Sequence, residues 1–159
     1  MANNQRNAIK LERDEAVRYL QDSRRIVLAT NGHDGCPHLV AMWYVVKDGD
    51  LLMTTYGKSQ KAVNIKRDPR ATVLADSGEQ YDQLKGLMLR GRAEIIEGDV
   101  DLTADVLRMV GAKMSGVSVS ADQNEMLLAQ ARKRVVIRFT PEKTASWDHA
   151  KMRASHPGR

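Results

Sequence analysis

Apolar residues recur along the chain at the spacing of β-strands, and polar turn residues separate the runs. Candidate strands cover residues 25–30, 38–46, 51–55, 71–75, 86–96 and 134–139, with a last edge strand at 144–147. The run 38–46 is nearly all apolar, so we expect it to be buried on both faces. Asp48-Gly49 supplies the positive φ angles of a tight hairpin and joins the second and third strands.

Helical spacing of apolar residues appears in four further segments. These are residues 12–22, 58–67, 99–111 and 122–132. Ser59 and Asp122 stand where helix caps are expected, and Asp68-Pro69 ends the second helix. Residues 112–121, which are rich in Gly and Ser, are predicted to form a loop. A meander, a short helix, further strands and a helical insertion indicate an antiparallel barrel with helices at its rim.

Length and composition narrow the class of protein. A chain of 159 residues with 42% hydrophobic and 28% charged residues fits one domain, with flexible tails expected at 1–10 and 152–159. No apolar run is long enough for a bilayer, and the polar start is not a secretory signal. Cys36 is the only cysteine, which excludes an internal disulfide and a multi-cysteine metal site. We therefore expect a cytoplasmic protein with no membrane partner and no metal.

The net charge of +5 suggests an anionic partner, either a nucleic acid, a membrane surface or a phosphorylated small molecule. The basic residues are scattered, and aromatic residues make up only 4% of the chain. Both observations disfavour nucleic acid, which is usually bound by a basic stripe or by stacking aromatic side chains.

The richest local chemistry lies between Thr54 and Lys61. Phosphate is bound by hydroxyls, by backbone N–H groups at a helix start and by fixed cations, and this segment contains all three. The alternative is an ordinary capped helix with solvated lysines. Met42-Trp43-Tyr44 belongs either to the barrel core or to an apolar wall for a flat ring. No nucleophile elbow, Walker loop or Rossmann glycine pattern occurs, and we assign no catalytic residue.

The segment from Gly35 to Arg70 carries a family resemblance. It reads Gly-Cys-Pro-His-Leu-Val-Ala-Met-Trp-Tyr-Val-Val, then Leu-Leu-Met-Thr-Thr, then Lys-Ser-Gln-Lys-Ala-Val-Asn-Ile-Lys-Arg-Asp-Pro-Arg. This resembles the pyridoxamine 5′-phosphate oxidase-like split-barrel superfamily, and it is most similar to the branch of deazaflavin (coenzyme F-420)-dependent oxidoreductases. Leu89-Arg90-Gly91-Arg92-Ala93-Glu94 and Ser146-Trp147-Asp148-His149 extend the resemblance, which covers about 24–151.

The resemblance implies a mostly β fold with α: a six- to seven-stranded antiparallel split β-barrel with rim helices. It also implies a homodimer with two cofactors in clefts at the interface. The strand with Val40, Ala41, Met42 and Trp43 would run along the cofactor ring. Thr54 and Thr55 would bind its chain or phosphate, and the phosphate would be received by Lys58, Ser59, Gln60 and Lys61.

Two later residues are further candidates. Arg92 either meets a cofactor or the partner chain across a dimer cleft or belongs to a salt-bridged surface. Trp147 either covers a cofactor across the interface or packs within its own chain.

The function expected from the resemblance is hydride transfer from a bound reduced deazaflavin to a small unsaturated organic substrate. The alternatives are an FMN-dependent oxidase or reductase and a non-catalytic flavin- or haem-binding protein. Gln60 stands where oxidase members usually carry arginine, and their arginine-rich C-terminal motif is absent. Both departures argue against oxidation of vitamin B6 itself. Gln60, the closer resemblance to the deazaflavin branch and the surplus of basic residues favour coenzyme F-420 over FMN.

Overall fold

Seven antiparallel strands form one curled half-barrel sheet in the computed structural model, which describes residues 5–117 and 124–154. The strands are β1 (Arg25–Asn31), β2 (Pro37–Trp43), β3 (Val45–Lys47), β4 (Asp50–Tyr56), β5 (Arg70–Ser77), β6 (Lys85–Ile96) and β7 (Arg134–Asp148). The helices are α1 (Gln5–Ala8), α2 (Arg13–Asp22), α3 (Gln60–Arg67), α4 (Val100–Ser115), α5 (Asn124–Ala131) and α6 (Ala150–Ala154), and a 3-10 turn covers Tyr81–Gln83. The order β2-β1-β5-β6-β7-β4-β3 confirms the predicted fold class.

The core fills the concave side of this sheet. Strands β1 and β5 alternate between buried and half-buried residues, as a sheet with one packed face requires. Leu28, Met53 and Phe139 are fully buried and belong to one apolar cluster that also includes Leu20 of α2. Each such side chain stabilises the fold by roughly 1.5–3 kcal/mol through its removal from water.

Helices α4 and α5, which together form the helical insertion between β6 and β7, pack on the other side of the sheet at β3, β4 and β7. Val106 of α4 is buried against Val45, Leu52 and Val136 in a second apolar cluster. The carboxylate of Asp99 accepts a hydrogen bond from the Leu102 amide over 2.9 Å and so caps α4. The helix runs past the predicted end at residue 111 to Ser115, because the left-handed residue that ends it is Gly116, with φ of 72°.

The prediction of one doubly buried strand at 38–46 is wrong. The run is divided into β2 and β3 at Tyr44, whose side chain is fully buried while its neighbour Trp43 is 55% exposed. Strand β2 is an edge of the sheet, and its alternate residues Leu39, Ala41 and Trp43 are exposed on the outer face. Leu39 is 60% exposed.

Tyr44 is fixed by contacts to two helices. Its hydroxyl donates a 2.5 Å hydrogen bond to the Leu20 carbonyl at the end of α2. The Lys113 ammonium of α4 lies 3.9 Å from the centroid of the Tyr44 ring. Burial raises the pKa of the Tyr44 hydroxyl, so the group remains a donor. Contacts with both α2 and α4 therefore fix the residue at which β2 ends and β3 begins.

The prediction of two separate strands at 134–139 and 144–147 is also wrong, because β7 is continuous. Its pairing with β6 shifts between Arg90 and Gly91, which face Lys143 and Pro141. The extra residue of this β-bulge accommodates the proline, which has no N–H for the ladder. The half of β7 at 144–147 pairs with β6 alone, since β4 pairs only with residues 134–139.

Helix α3 begins at Gln60 rather than at Lys58, and Ser59 occupies the N-cap position without a side-chain cap bond. The predicted loop at 112–121 begins inside α4, while its residues 118–121 and the predicted cap Asp122 lie outside the described residues. The predicted tails contain α1 and part of α6. Within the described ranges, no helix combines the length and apolar character needed to span a membrane.

Replacing Tyr44 with phenylalanine tests the anchor at the β2–β3 break. The Leu20 carbonyl would keep only the 3.4 Å contact from Lys113. We expect Tyr44→Phe to lower the free energy of unfolding by about 1–2 kcal/mol, measured by urea denaturation. Tyr81→Phe, at an exposed tyrosine, is the matched control. Equal denaturation midpoints for the two variants would contradict the anchor.

Candidate functional site

A cavity of about 490 Å³ lies where β2, β4 and the insertion α4–α5 meet. Its lining residues are Arg25, Ala41, Met42, Trp43, Thr54, Leu107, Val110, Gly111, Met114, Gln130 and Arg134. The sheet order places β2 at one end and β4 next to the other end, so this cavity is the seam at which the curled sheet fails to close. We call it the seam cavity.

The walls of the seam cavity are mostly apolar. Ala41, Met42 and Trp43 come from β2, and Leu107, Val110 and Met114 come from α4. The half-exposed Trp43 ring offers a large flat surface. Thr54 adds a hydroxyl from β4. An apolar slot with few polar groups is the usual environment of a flat organic ligand.

A polar turn follows directly after Thr54 and leads into α3. Thr55 is buried, and its hydroxyl donates a 3.1 Å hydrogen bond to the Ser59 hydroxyl at the N-cap of the helix. Lys61 lies in the first helical turn and is half-buried, and burial lowers the pKa of its ammonium group. Lys61 has no ion pair within the part of the chain that the structure describes. A partly desolvated cation without a counter-ion among the described residues is well placed to bind an anion.

A buried hydrogen bond attaches helix α3 to β1 next to this turn. Asn64 is fully buried, and its side-chain amide donates a 3.0 Å hydrogen bond to the Thr30 hydroxyl on β1. The Gln60 amide donates to the Asn64 oxygen over 2.8 Å. Gln60 therefore has a structural partner inside the protein, a role that the sequence did not indicate.

The twelve residues predicted from sequence do not form one group in this chain. The seam cavity is lined by Ala41, Met42, Trp43 and Thr54. The adjoining turn contains Thr55, Lys58, Ser59, Gln60 and Lys61. Val40 lies on the face of β2 opposite to Ala41 and Trp43, and it packs against the core as Met42 does.

Arg92 and Trp147 lie away from the seam cavity. Arg92 lines a different cavity of about 560 Å³ together with Arg138 and Glu94. Trp147 is half-buried, and it pairs with Gly86 across β6 and β7. A Cβ atom built on Gly86 would lie 2.1 Å from the Trp147 ring, so the ring covers that glycine.

Sequence reasoning missed two arginines of the seam cavity, Arg25 and Arg134. Arg25 faces Trp43 across β1 and β2, and Arg134 faces Tyr56 across β7 and β4. The Arg134 guanidinium carbon lies 4.6 Å from the centroid of the Tyr56 ring. The two arginines are far apart in the sequence, and only the sheet pairing brings them to the same cavity.

Comparison with known proteins agrees with the fold and with the resemblance seen in the sequence. The family model described as pyridoxamine 5′-phosphate oxidase matches residues 13–148. The crystal structure of conserved hypothetical protein Rv2991 from Mycobacterium tuberculosis is 38% identical, with a TM-score of 0.86 over 97% of this chain and 94% of that one.

Two relatives carry names that state an activity. The F420H(2)-dependent biliverdin reductase of Mycobacterium tuberculosis is 33% identical over 94 residues, which span 58% of this chain and 64% of the reductase. A solved structure named F420 reductase is 25% identical, with a TM-score of 0.62 over 80% of this chain and 94% of that one. The predicted resemblance to the split-barrel superfamily and its deazaflavin branch is confirmed.

A double-mutant cycle tests whether Trp147 packs within its own chain. Gly86→Ala would force the Trp147 ring aside, and we expect a loss of about 1–3 kcal/mol in the free energy of unfolding. In a Trp147→Leu background the same substitution should cost much less, because the obstructing ring is gone. Additive effects of the two substitutions would mean that the ring lies elsewhere, for instance across a dimer interface.

Proposed function

Because the chain belongs to the pyridoxamine 5′-phosphate oxidase family, we propose that it is an oxidoreductase that binds a flavin or deazaflavin in the seam cavity. The observation that carries the proposal is that an apolar slot and a turn suited to an anion are adjacent along the chain. Thr54 lines the slot, and Lys61, which has no ion pair among the described residues, follows in the turn into α3.

The residues present fit a phosphate-bearing cofactor. Lys58 and Lys61 supply positive charge, and Ser59 supplies a hydroxyl at the start of α3. Backbone N–H groups of a first helical turn favour anions in the same place. The partly desolvated Lys61 ammonium is suited to a phosphate, since charge-assisted hydrogen bonds strengthen where water is excluded.

The ring of the cofactor would lie along β2. Ala41 and Trp43 offer apolar surface on the outer side of the strand, and the backbone of an edge strand has free N–H and C=O groups. Thr54 faces the same slot from β4. The protein's part in the reaction is to bind, to orient and to keep water away.

We propose coenzyme F-420 rather than FMN as the cofactor. Gln60 stands in place of an arginine, and its amide is already bonded to Asn64. The net charge of +5 suits a cofactor with an anionic tail. The names of two relatives support the same choice. When bound and reduced, the deazaflavin supplies a hydride, which here would pass to a small unsaturated organic substrate.

We also propose that the protein is a homodimer. The outer face of β2 exposes Leu39, Ala41 and Trp43, and half-buried Val27 and Leu74 continue the same face on β1 and β5. Contiguous exposed apolar patches usually mark an interface. A second copy would bury this face and give the edge strand a neighbour.

Cofactor titration followed by fluorescence tests the proposed site. Coenzyme F-420 should bind more tightly than FMN, and Lys61→Ala should weaken binding about tenfold or more through loss of a charge-assisted bond. Lys66→Ala on the same helix, where the lysine is paired with Glu97, should leave binding unchanged. Unchanged affinity in a Lys58→Ala, Lys61→Ala double variant would place the phosphate elsewhere.

The pH dependence of binding gives a further readout of Lys61 in the same titration. Since burial lowers its pKa, Lys61 loses its proton at a lower pH than an ordinary lysine. Cofactor affinity should fall as pH rises through that lowered pKa, and Lys61→Arg should remove the fall because arginine stays charged. Protonation changes of the cofactor itself affect the wild type and Lys61→Arg equally. Parallel pH profiles of the two proteins would therefore contradict a contact between Lys61 and the cofactor.

Sedimentation at micromolar concentration tests the dimer. The wild-type protein should sediment as a dimer, and Leu39→Glu should yield monomer because it places a charge in the apolar face. Val17→Glu, at an exposed apolar residue of α2, should leave the dimer intact. A wild-type monomer that binds cofactor fully would overturn the interface.

A further inference from the structure

The lining of the seam cavity contains Arg25 and Arg134 and no carboxylate. Two other cavities contain carboxylates beside their cations: the cavity around Arg90 includes Glu142, and the cavity around Arg92 includes Asp50, Glu94 and Glu142. The seam cavity therefore combines two cations that have no carboxylate beside them in the lining with mainly apolar walls.

Neither arginine of the seam cavity is neutralised inside the protein. No carboxylate of the described residues forms an ion pair with Arg25 or Arg134, whereas Arg70, Arg108 and Arg138 each have one. Arg134 rests on the Tyr56 ring, which orients its guanidinium without cancelling its charge. A guanidinium in this state is a ready partner for a carboxylate or a similar acid group.

The two cations of the seam cavity come from different strands. Arg25 pairs with Trp43 across β1 and β2, and Arg134 pairs with Tyr56, two residues along β4 from Thr54. Helix α4 contributes Leu107, Val110 and Met114 to the same lining. These three residues recur at helical spacing on one face of α4. A ligand in this space meets an apolar wall and two positive charges.

We propose that the α4–α5 side of the seam cavity is the substrate subsite and that it selects apolar organic acids. Arg25 and Arg134 bind the acid group, and the α4 residues contact the apolar body. The helical insertion thus acts as the specificity wall of the enzyme, facing the β2 wall along which the cofactor ring would lie. This inference rests on the proposed function only in treating the seam cavity as the site of reaction.

Calorimetric titration with a matched pair of probes tests the subsite. The acidic probe is anilinonaphthalene sulfonate, and the neutral probe is phenylnaphthylamine, which has similar rings without the sulfonate. Both are titrated into the full-length protein, with and without cofactor. The wild type should bind the sulfonate at least about tenfold more tightly than the neutral probe.

The variants separate charge from apolar contact. Arg25→Gln and Arg134→Gln should each weaken sulfonate binding about tenfold and leave the neutral probe unchanged. Arg24→Gln and Arg132→Gln remove exposed arginines close by that do not line the cavity, and both probes should bind as before. Met114→Gln should weaken both probes, because it makes the α4 wall polar. Circular dichroism confirms that each variant is folded.

The remaining outcomes distinguish a failure of this proposal from a failure of the proposed function. Equal affinity of all four arginine variants for the sulfonate would show that charge at the cavity does not select the ligand. Loss of cofactor affinity in Arg25→Gln or Arg134→Gln, with unchanged probe binding, would assign the arginines to the cofactor phosphate. A wild-type protein that binds the sulfonate selectively but binds no flavin or deazaflavin would refute the proposed function and support the anion-binding subsite.

Discussion

Burial of Tyr44 is the constraint on which the rest of the architecture depends. The chain enters this corner as the edge strand β2 and leaves it as β3, which lies at the other end of the sheet. If the chain passed Tyr44 as one straight strand, residues 45–47 would extend β2 at the same edge of the sheet. The Tyr44 ring is instead held in the core, with its hydroxyl on the Leu20 carbonyl and the Lys113 ammonium over its face. One buried side chain thereby sets the direction of the strands on either side of it and connects both to α2 and α4.

The position of the seam cavity results from the change of strand direction at Tyr44. Strands β2 and β4 belong to opposite ends of the sheet and do not pair with each other, and α4 and α5 line the space between them. The sheet contributes one wall of the cavity together with Arg25 and Arg134, and helix α4 contributes Leu107, Val110 and Met114. The site that we propose therefore depends on both the sheet and the helices that cover it.

Much of this structure was predictable from the sequence because the strand and helix signals are local. Turn residues such as Asp48-Gly49 and the apolar spacing of residues 86–96 identify strands irrespective of tertiary contacts. The prediction for the run 38–46 was wrong because the sequence does not show whether an apolar residue is covered by its own sheet, by another subunit or by a ligand. The β7 bulge was missed because Pro141 normally ends a strand, and only the extra residue in the pairing with β6 accommodates it. A candidate site could be proposed from the sequence where its residues are contiguous, at Thr54 to Lys61, and not where pairing between distant strands brings residues such as Arg25 and Arg134 to one cavity.

Hydrogen–deuterium exchange on binding of coenzyme F-420 tests the central claim most directly, since it reports protection along the whole backbone. The account predicts that protection increases in β2 at residues 40–43 and in the turn and first helical turn at residues 54–61. Exchange in the bulge around Gly91 and Pro141 should change little. Protection confined to that bulge, with residues 40–43 and 54–61 unaffected, would contradict a cofactor site at the seam of the sheet.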